Sequence, residues 1–478
     1  MSNLMWFRRD LRVYDNPALS AACKNAADGP TLALFILTPQ TWLSHEMAAI
    51  QVRFMLQNLI QLSQALETLN ITLLIREVPT FQDVPTLIDA IVQDYRINAV
   101  YFNRQYEFDE LKRDTAVIET LRRIGCITHR FDDQVLIPPE KTLTQQHSPF
   151  KVFTPFKRRW LELAESVYSP PLDKPKAQDK LLALPDSAPF AIKGFNEKID
   201  AKYLPEPGES AAHQKLSAFC KNSILDYQKY RDFPFLDSTS HLSPYLALGV
   251  LSIRQCLAAV FMEQQIGSFS EFYNKSGPAT WVSELIWRDF YKTIVFHYPE
   301  ICKFKPFKTE TNELNWSYDK ILFQQWCEGK TGFPLIDAAM RQLNQTGWMH
   351  NRLRMLTAMF LSKILFIDWR WGERYFSQNL LDCDFSANNG GWQWCASTGT
   401  DAVPYFRIFN PILQSEKFDH QGCFIRKFCP ELSHLDAKII HDPYSRGIPY
   451  GNLPYPKKII DYTSMRHATL LAFKQLKN

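Results

Sequence analysis

Leu32-Ala-Leu-Phe-Ile-Leu37 is an uninterrupted apolar run of strand length, and a helical stripe of apolar residues across 47–69 separates it from a second run, Thr72-Leu-Leu-Ile75. Leu4-Met-Trp-Phe7 precedes this unit and Ala99-Val-Tyr-Phe102 follows it. Continuous apolar strands joined by helices are typical of a parallel sheet that is buried on both faces. The sequence therefore predicts a Rossmann-like α/β domain with helices on both faces and ligands at the carboxyl ends of its strands.

The composition changes in the middle of the chain. Eleven of the 29 prolines lie within 138–207, and proline removes a backbone donor and disfavours helix in the residue before it. We expect a long Pro-rich connector over 136–207, with one helix from Val152 to Glu165. From there on the patterns are helical. The predicted organisation is an α/β domain over 1–135, the connector, and a large all-α domain over 208–478.

Composition and charge exclude several classes of protein. Apolar residues make up 46% of the 478 residues and charged residues 22%, as in globular proteins. Lys and Arg exceed Asp and Glu by 54 − 50 = 4, so any binding to a polyanion needs a local patch. There is no apolar stretch of about 18 residues and no signal core at the N-terminus, and the ten cysteines form no CxxC pair. We expect a cytoplasmic, bacterial-type protein with reduced thiols and no membrane span.

Several familiar motifs are absent or incomplete. Glu328-Gly-Lys-Thr331 lacks the earlier glycine of a phosphate loop, because Gln324 stands at that position. No GxGxxG follows a strand and no GxSxG is present, so the dinucleotide fingerprint and the hydrolase elbow are both missing. Without HExxH or paired CxxC motifs, the sequence predicts no metal site.

The tryptophans are concentrated in one region. Nine of the 12 fall within 281–394, far more than even spreading would place there. In this region Asp382-Cys-Asp-Phe-Ser-Ala-Asn-Asn-Gly-Gly-Trp-Gln-Trp394 sets two carboxylates beside an Asn-Asn-Gly-Gly turn. One interpretation is a polar turn with a helix cap. The other is a pocket whose acceptors hold the N–H edge of a planar heterocycle, with Trp392 and Trp394 as a π surface.

A second segment, Trp348-Met-His-Asn-Arg-Leu-Arg-Met355, has helical spacing. Asn351 and Met355 share one face of such a helix. Arg352 and Arg354 point to different faces, so that one can pair with a carboxylate such as Asp382 while the other meets a phosphate. A basic, solvated helix face is the alternative.

Two more segments suit a nucleotide or a nucleic acid. In Glu284-Leu-Ile-Trp-Arg-Asp-Phe-Tyr291 an acid, an indole and a guanidinium lie on one helical face, which fits either a nucleobase or ordinary packing with a surface ion pair. The hydroxyls of Thr239-Ser-His-Leu-Ser243 precede an apolar run. They can cap a helix or hold a phosphate at its N-terminus.

These motifs together resemble those of DNA photolyases. The resemblance begins at Trp6-Phe-Arg-Arg-Asp-Leu-Arg12, runs over nearly the whole chain, and includes Thr398-Gly-Thr-Asp401 and Tyr405-Phe-Arg-Ile-Phe-Asn-Pro411. It is closest to the bacterial class I cyclobutane pyrimidine dimer photolyases of the cryptochrome/photolyase family. The resemblance implies an enzyme in which light drives electron transfer from reduced, anionic FAD and splits pyrimidine dimers in DNA.

The resemblance also implies a set of FAD-binding residues. By motif position these are Tyr227, Thr239, Ser240, His241, Leu242, Ser243, Arg354, Asp382, Cys383, Asp384 and Asn388. Asn388 is expected near the flavin N5. The family usually has Arg at the position of His241, so this chain lacks a permanent charge at the expected pyrophosphate site.

Electron transfer and DNA binding are implied in the same way. A chain of three tryptophans, Trp392, Trp369 and Trp316, is expected to pass electrons from the surface to the photoexcited flavin. The residues expected to contact DNA are Arg231, Glu284, Trp287, Arg288, Tyr291, Asn351, Arg352, Met355, Trp394, Arg407 and Gln414. Among them, Glu284 and Asn351 are expected to stabilise negative charge that develops on the dimer.

An antenna pigment is the last implied cofactor. In folate-binding members an Asn-Glu pair and a Cys-Lys pair contact a methenyl-type tetrahydrofolate, and this chain has Asp109-Glu110 and Cys302-Lys303. Asp in place of Asn exchanges a donor for a charge. The expectation is 5,10-methenyltetrahydrofolate.

The rival functions are a blue-light signalling cryptochrome, a (6-4) photolyase and a nucleic-acid-binding flavoprotein without photochemistry. Asn351 and Met355 favour the cyclobutane dimer over the (6-4) lesion, for which the family places His at the position of Asn351. We expect a nucleoid-associated monomer that binds damaged DNA and has no obligate protein partner.

Overall fold

The computed structural model describes residues 2–26, 29–179, 192–195, 199–274 and 276–476. The chain forms two compact units. The first comprises Met1–Glu197, Pro205–Leu225 and Ser240–Cys302, and the second comprises Lys198–Leu204, Asp226–Thr239 and Lys303–Asn478. Two parts of the expected connector, 180–191 and 196–198, lie outside the described residues. The domain boundaries at 135 and 207 stay predictions.

The first unit contains a five-stranded parallel sheet in the order β3-β2-β1-β4-β5. The strands are β1 (Ser2–Phe7), β2 (Thr31–Leu37), β3 (Leu73–Glu77), β4 (Ile97–Asn103) and β5 (Ile127–Phe131). Four of them coincide with the predicted apolar runs. The order reverses at β1, where β2 lies on one side and β4 on the other, as in doubly wound sheets.

Burial explains why these runs form a parallel sheet. Every residue of β2 is buried, as are Leu4 to Phe7 of β1, and a strand covered on both faces needs apolar side chains in both directions. The helices of this part are α1 (Pro17–Lys24), α2 (Pro39–Ser44), α3 (Ala49–Glu67), α4 (Val84–Asp94), α5 (Phe108–Arg123) and α6 (Phe153–Val167). The helix predicted within the connector is therefore confirmed as α6.

The rest of the chain is largely helical, as predicted. Its helices are α7 (Glu209–Asn222), α8 (Tyr227–Tyr230), α9 (Ser243–Ala247), α10 (Ile253–Gln264), α11 (Ser276–His297), α12 (Lys320–Cys327), α13 (Pro334–Thr346), α14 (Asn351–Met359), α15 (Trp369–Asn379), α16 (Phe385–Ala396), α17 (Pro411–Phe418), α18 (Cys423–Phe428) and α19 (Tyr462–Gln475). A π-helical turn, Phe360–Ile364, continues α14. Within the described ranges, no helix is long and apolar enough to cross a membrane.

The incomplete phosphate-loop motif has a structural explanation in the second unit. The buried Asp337 carboxylate accepts hydrogen bonds from the backbone N–H of Thr331 at 2.7 Å and of Gly332 at 3.0 Å, and from the Tyr455 hydroxyl at 2.5 Å. A fourth bond comes from the Thr331 hydroxyl at 2.6 Å. Here the loop donors bind an internal carboxylate, so this segment fixes the start of α13.

Candidate functional site

An ion pair joins two of the motifs that the sequence analysis singled out. Nη2 of Arg354 on α14 lies 2.8 and 3.0 Å from the two carboxylate oxygens of Asp382, and its Nε donates to the carbonyl of Met349 at 2.8 Å. The Asp382 side chain is 2% exposed. A buried carboxylate needs such a partner, since an unpaired charge in this position is strongly destabilising. The predicted pairing of an arginine with Asp382 is confirmed.

The Asn-Asn-Gly-Gly segment is helical, so the predicted turn is wrong. It lies within α16, whose N-cap residue Asp384 accepts a hydrogen bond from the Ala387 N–H at 3.1 Å. The predicted cap is present, but the helix continues through the glycines. Packing of α15 against α16 outweighs the turn preference of Asn and Gly, since local propensity is a weak signal beside tertiary contacts.

The orientation of the Asn388 amide follows from its partners. Its Nδ2 donates to the backbone carbonyl of Glu373 at 3.0 Å and to the Ser377 hydroxyl at 3.0 Å. A carbonyl oxygen accepts only, so the NH₂ group must face Glu373, and Oδ1 is directed away from these two partners. Asn388 therefore offers an acceptor, while Arg354 and Asp382 offer donors and acceptors in the same unit. This donor set fits the polar edge of a planar heterocycle such as the flavin expected from the sequence.

Local contacts join the chain segments around the three tryptophans that are predicted to carry electrons. An isolated parallel bridge joins the segment just after Trp316 to the segment just before Trp369, which begins α15. One turn further along α15, Gly372 lies so close to the ring of Trp392 that a Cβ there would come within 2.1 Å of Cη2. Trp369 and Trp392 are almost fully buried, and Trp316 is 7% exposed. The arrangement is consistent with the expected order, and the redox roles stay predictions.

The segment expected at the FAD phosphates is divided between the two units. Thr239 and Tyr227 belong to the second unit, and 240–243 belongs to the first. The N-cap residue of α9 is Leu242, whose side chain makes no capping hydrogen bond, and both interpretations of the hydroxyls in 239–243 stay predictions. His241 has a φ of 50°, in the left-handed region. The side chain of Tyr227 is buried and lies 5.8 Å from the Arg231 guanidinium.

Trp287 on α11 stacks on an aromatic side chain from the connector. Its ring lies 3.6 Å from the ring of Phe153, the first residue of α6, at an interplanar angle of 6°. Phe153 is 8% exposed and makes an edge contact with Phe290 at 5.9 Å. One face of the indole is therefore occupied by the protein itself. Tyr291 lies one turn along α11, with its ring 5.5 Å from the indole.

A lysine lies beside Glu284. The Lys157 ammonium on α6 donates to the Ser283 hydroxyl at 2.6 Å. Burial lowers the pKa of Lys157, and the negative charge of Glu284 opposes this. Glu284 and Trp287 thus share a half-buried face of α11 with a cation from the connector.

The Arg288 side chain makes its contacts within the first unit. Its Nη1 donates to the backbone carbonyl of Gln134 and lies 3.7 Å from the Asp289 carboxylate. Asp289 is buried and accepts hydrogen bonds from the Leu136 N–H and from the Trp160 indole N–H, each at 3.0 Å. Burial raises the pKa of Asp289 to about 6. This geometry gives Arg288 a structural role, and its expected contact with DNA stays a prediction.

The remaining residues expected to bind DNA lie in the second unit. Arg352 pairs with Asp232 at 2.7 Å and lies 4.7 Å above the Phe418 ring. Asn351 is exposed at the start of α14, and Met355 is half-buried one turn later. Trp394 on α16 and Gln414 on α17 are half-buried, and Arg407 is exposed in the segment before α17. The ion pair already holds Arg352, so a phosphate would have to compete with Asp232.

The antenna residues of the first unit cluster around the start of α5. Nε2 of His45 lies 3.0 Å from an Asp109 carboxylate oxygen. Burial, and then the charge of Glu107, raises the pKa of Glu110. Burial also raises the pKa of the Cys302 thiol to about 12, and the acids at 107, 109 and 110 add to this effect. Cys302 is thus brought close to the Asp109-Glu110 pair. Lys303 is the first residue of its segment in the second unit.

Several residues at these sites were not predicted. Phe153, Lys157 and His45 lie far from their partners in sequence, and neither periodicity nor a motif singles them out. The chemistry of phenylalanine or lysine gives no signal until the fold places it beside a functional group. Among the described residues, no group of three His, Cys, Asp or Glu side chains is arranged to hold a metal ion.

Comparisons with known proteins agree with these features. Residues 3–176 match the family described as DNA photolyase, and residues 281–475 match the FAD binding domain of DNA photolyase. The chain is 44% identical to the deoxyribodipyrimidine photo-lyase of Vibrio cholerae over 99% of both chains. It is 43% identical to that of Escherichia coli, over 99% of this chain and 98% of the relative. A solved class III photolyase from Agrobacterium tumefaciens is 33% identical, with a TM-score of 0.84 over 100% of this chain and 98% of that structure.

Proposed function

The chain belongs to the photolyase/cryptochrome family, and on that premise we propose that it is a deoxyribodipyrimidine photo-lyase, a lyase that uses light to split cyclobutane pyrimidine dimers in DNA. The observation that carries this proposal is the similarity, over the full length of both chains, to relatives named for that reaction. The donor set of Arg354, Asp382 and Asn388 supports it, because its chemistry fits a flavin.

Reduced FAD, when bound, would supply the light-driven one-electron chemistry that opens the cyclobutane ring. The residues that would hold it are those inferred from the motifs, with the Arg354–Asp382 pair and Asn388 at the ring. The pair neutralises a buried charge before any ligand binds. Asn388 presents its oxygen, so it would accept a hydrogen bond from a protonated ring nitrogen and would repel an unprotonated one.

Trp287 and Trp394 would bind the dimer by stacking, which contributes about 1–3 kcal/mol per base. A dimer pairs poorly with the opposite strand, so extruding it costs less than extruding normal bases, and this difference favours damaged DNA. Phe153 fixes the Trp287 ring in advance. Glu284 and Asn351 would stabilise the negative charge that develops on the dimer, in the manner of an oxyanion hole.

The tryptophans would restore the reduced flavin after accidental oxidation. Trp392 would donate first, followed by Trp369 and Trp316. Burial of the first two keeps water from their rings. We further assign the protein to class I, as a monomer with a 5,10-methenyltetrahydrofolate antenna near Asp109 and Glu110. The absorption spectrum after reconstitution with the folate, and sedimentation of the holoprotein, test these finer points.

The decisive experiment combines spectroscopy with repair. The purified protein, reconstituted with FAD and chemically reduced, is mixed with DNA that contains either cyclobutane dimers or (6-4) products, and is then illuminated or kept dark. We expect loss of cyclobutane dimers only, and only in light. Repair in darkness would refute the proposal. Flavin photoreduction without any repair would instead favour the signalling cryptochrome.

Variants at two residues test the assigned roles. Trp392→Phe should abolish flavin photoreduction while chemically reduced enzyme still repairs dimers, and loss of both would mean that Trp392 has another role. Glu284→Gln retains a donor that Glu284→Ala lacks. If both lower the repair yield equally, hydrogen-bond donation by Glu284 is not what matters.

A further inference from the structure

A second line of aromatic rings leads from Trp392 to the protein surface within the second unit. The Trp326 ring lies 6.1 Å from Trp392, and Phe323 stacks on Trp326 at 5.9 Å with an interplanar angle of 22°. Trp371 lies 5.1 Å from Phe323, and Tyr318 lies 5.6 Å from Trp371. None of these four rings belongs to the predicted tryptophan chain.

The two ends of this line differ sharply in exposure. Trp326 is fully buried, whereas Tyr318 is 59% exposed. The predicted chain ends at Trp316, which is only 7% exposed. A reductant dissolved in water therefore reaches Tyr318 far more easily than it reaches Trp316.

A proton acceptor beside an aromatic side chain decides whether an electron vacancy stays on that side chain or moves on to the next. The buried indole N–H of Trp392 has no hydrogen-bond partner among the described residues, and that of Trp326 donates to the backbone carbonyl of Thr357 at 3.2 Å. Neither indole has a base that can take its proton, so an electron vacancy on either ring remains a charged radical that can move on. A tyrosine, in contrast, loses its phenolic proton when it is oxidised.

Tyr318 has a base in place. Its hydroxyl donates to Oδ2 of Asp368 at 3.2 Å, and Asp368 is a carboxylate that also caps α15 and pairs with Arg370 at 3.1 Å. Burial and then the charge of Asp368 raise the pKa of Tyr318, while Arg370 opposes this, so the phenol is protonated at neutral pH. The hydroxyl therefore carries a proton and faces a group that can accept it.

A nearby tyrosine lacks this feature and serves as a control. Tyr375 lies 5.7 Å from Trp326, closer along the line than Tyr318. Its hydroxyl donates to the amide oxygen of Asn344 at 2.7 Å and lies 3.2 Å from the carbonyl of Cys327. Neither oxygen is a useful base. The two tyrosines therefore differ in their proton acceptors: Tyr318 faces a carboxylate, whereas Tyr375 faces only neutral oxygens.

We propose that Tyr318 is a terminal electron donor for flavin photoreduction, reached from Trp392 through Trp326, Phe323 and Trp371, with Asp368 as its proton acceptor. This inference rests on the proposed function.

The step balances in charge and mass. Trp392 gives one electron to the photoexcited oxidised flavin, and the vacancy passes through Trp326 to Trp371. Tyr318 then gives one electron to Trp371, and its proton passes to Asp368. A thiol in solution returns a hydrogen atom to the tyrosyl radical, and Asp368 releases its proton to water. Phe323 is too hard to oxidise to hold the vacancy, so it acts only as a bridge between the two indoles.

The test is transient absorption and electron paramagnetic resonance on the holoprotein with oxidised FAD, after a blue laser pulse and without thiol. In the wild type we expect a neutral tyrosyl radical. Tyr318→Phe should lose that signal and leave a tryptophanyl radical, and Trp371→Phe should lose it as well. Tyr318 is exposed and the substitution removes one hydroxyl, so the fold is preserved.

Two control variants separate this proposal from its alternatives. Tyr375→Phe should keep the tyrosyl signal. Asp368→Asn, which keeps an acceptor but removes the base, should slow formation of the radical and change its dependence on pH and on deuterated water. The proposal is overturned if the wild type forms no tyrosyl radical while its flavin is photoreduced, or if the radical survives in Tyr318→Phe. Absence of any flavin photoreduction, in contrast, would count against the tryptophan chain of the proposed function.

Discussion

The packing of Gly372 against Trp392 gives a prediction that can be worked out atom by atom. A Cβ at residue 372 would lie 2.1 Å from Cη2 and 2.4 Å from Cζ3 of the indole, and 2.6 Å from Cδ2 of Leu361. Ordinary carbon contacts need about 3.5 Å, so the ring or the helix would have to move by about 1.4 Å. Trp392 is 2% exposed and Leu361 is fully buried. Neither side chain has free space into which it can turn.

We therefore expect Gly372→Ala to destabilise the protein although alanine favours helices. Forcing an extra methyl group into a packed core costs about 1–3 kcal/mol, and the helix preference of alanine over glycine returns about 0.5–1 kcal/mol. With the middle of each range, the net loss is about 1 kcal/mol in the free energy of unfolding of the second unit. Flavin photoreduction should slow as well, because the displaced ring is the expected first donor.

The chain offers a matched control on the neighbouring helix. Gly391 lies in α16, directly before Trp392, and a Cβ there would meet no atom within 4 Å. Gly391→Ala should thus be neutral or stabilising by about 0.5–1 kcal/mol, with unchanged photoreduction. Urea titrations of both holoproteins, monitored by near-UV circular dichroism and by flavin release, measure the difference in the free energy of unfolding. Equal stability and equal photoreduction rates for the two variants would refute the packing argument.

Three further predictions use single substitutions. Because the pKa of Asp289 is raised to about 6, the folded state binds more protons than the unfolded state between about pH 4 and 6, and wild-type stability should fall there by about 3 kcal/mol as pH rises. In urea titrations, Asp289→Asn should lack this fall. The buried ammonium of Lys363 donates to the carbonyls of Pro404 and Arg407, and burial lowers its pKa to about 7. Stability should therefore rise with pH above about 7, and in urea titrations Lys363→Met should lack that rise. Asp109→Asn should bind methenyltetrahydrofolate more tightly in absorption titrations, because it removes a negative charge at the proposed site of this anionic ligand. Unchanged affinity would count against Asp109 as part of that site.

The sequence was informative wherever burial and periodicity coincide. Four strands were predicted because each contains a continuous apolar run, but β5 was missed. Its five residues, Ile-Thr-His-Arg-Phe, are exposed or half-buried, and Ile127 is 58% exposed. An edge strand that is exposed to solvent has no continuous apolar run, so the pattern that predicted the other strands is absent.

The site was predicted unevenly for a similar reason. The pairing of Arg354 with Asp382 could be predicted from the sequence, because a buried carboxylate requires a cation. The helical conformation of Asn388 could not be predicted, since packing against α15 overrides the local preference of asparagine for turns. Contacts such as Tyr318 with Trp371 depend on side chains more than fifty positions apart in sequence. No periodicity reports on such a meeting, and only the fold reveals it.

The Phe153–Trp287 stack has a consequence for dividing the chain into parts. The connector contributes Phe153, Lys157 and the indole N–H of Trp160 to α11, where they cover Trp287, Ser283 and Asp289. A fragment cut at residue 208 would leave an aromatic face and a buried carboxylate without their partners. Such a truncation should yield an aggregation-prone polypeptide, and adding back a peptide that spans α6 should restore solubility. The segment that the sequence predicts as a connector is thus part of the packing around α11.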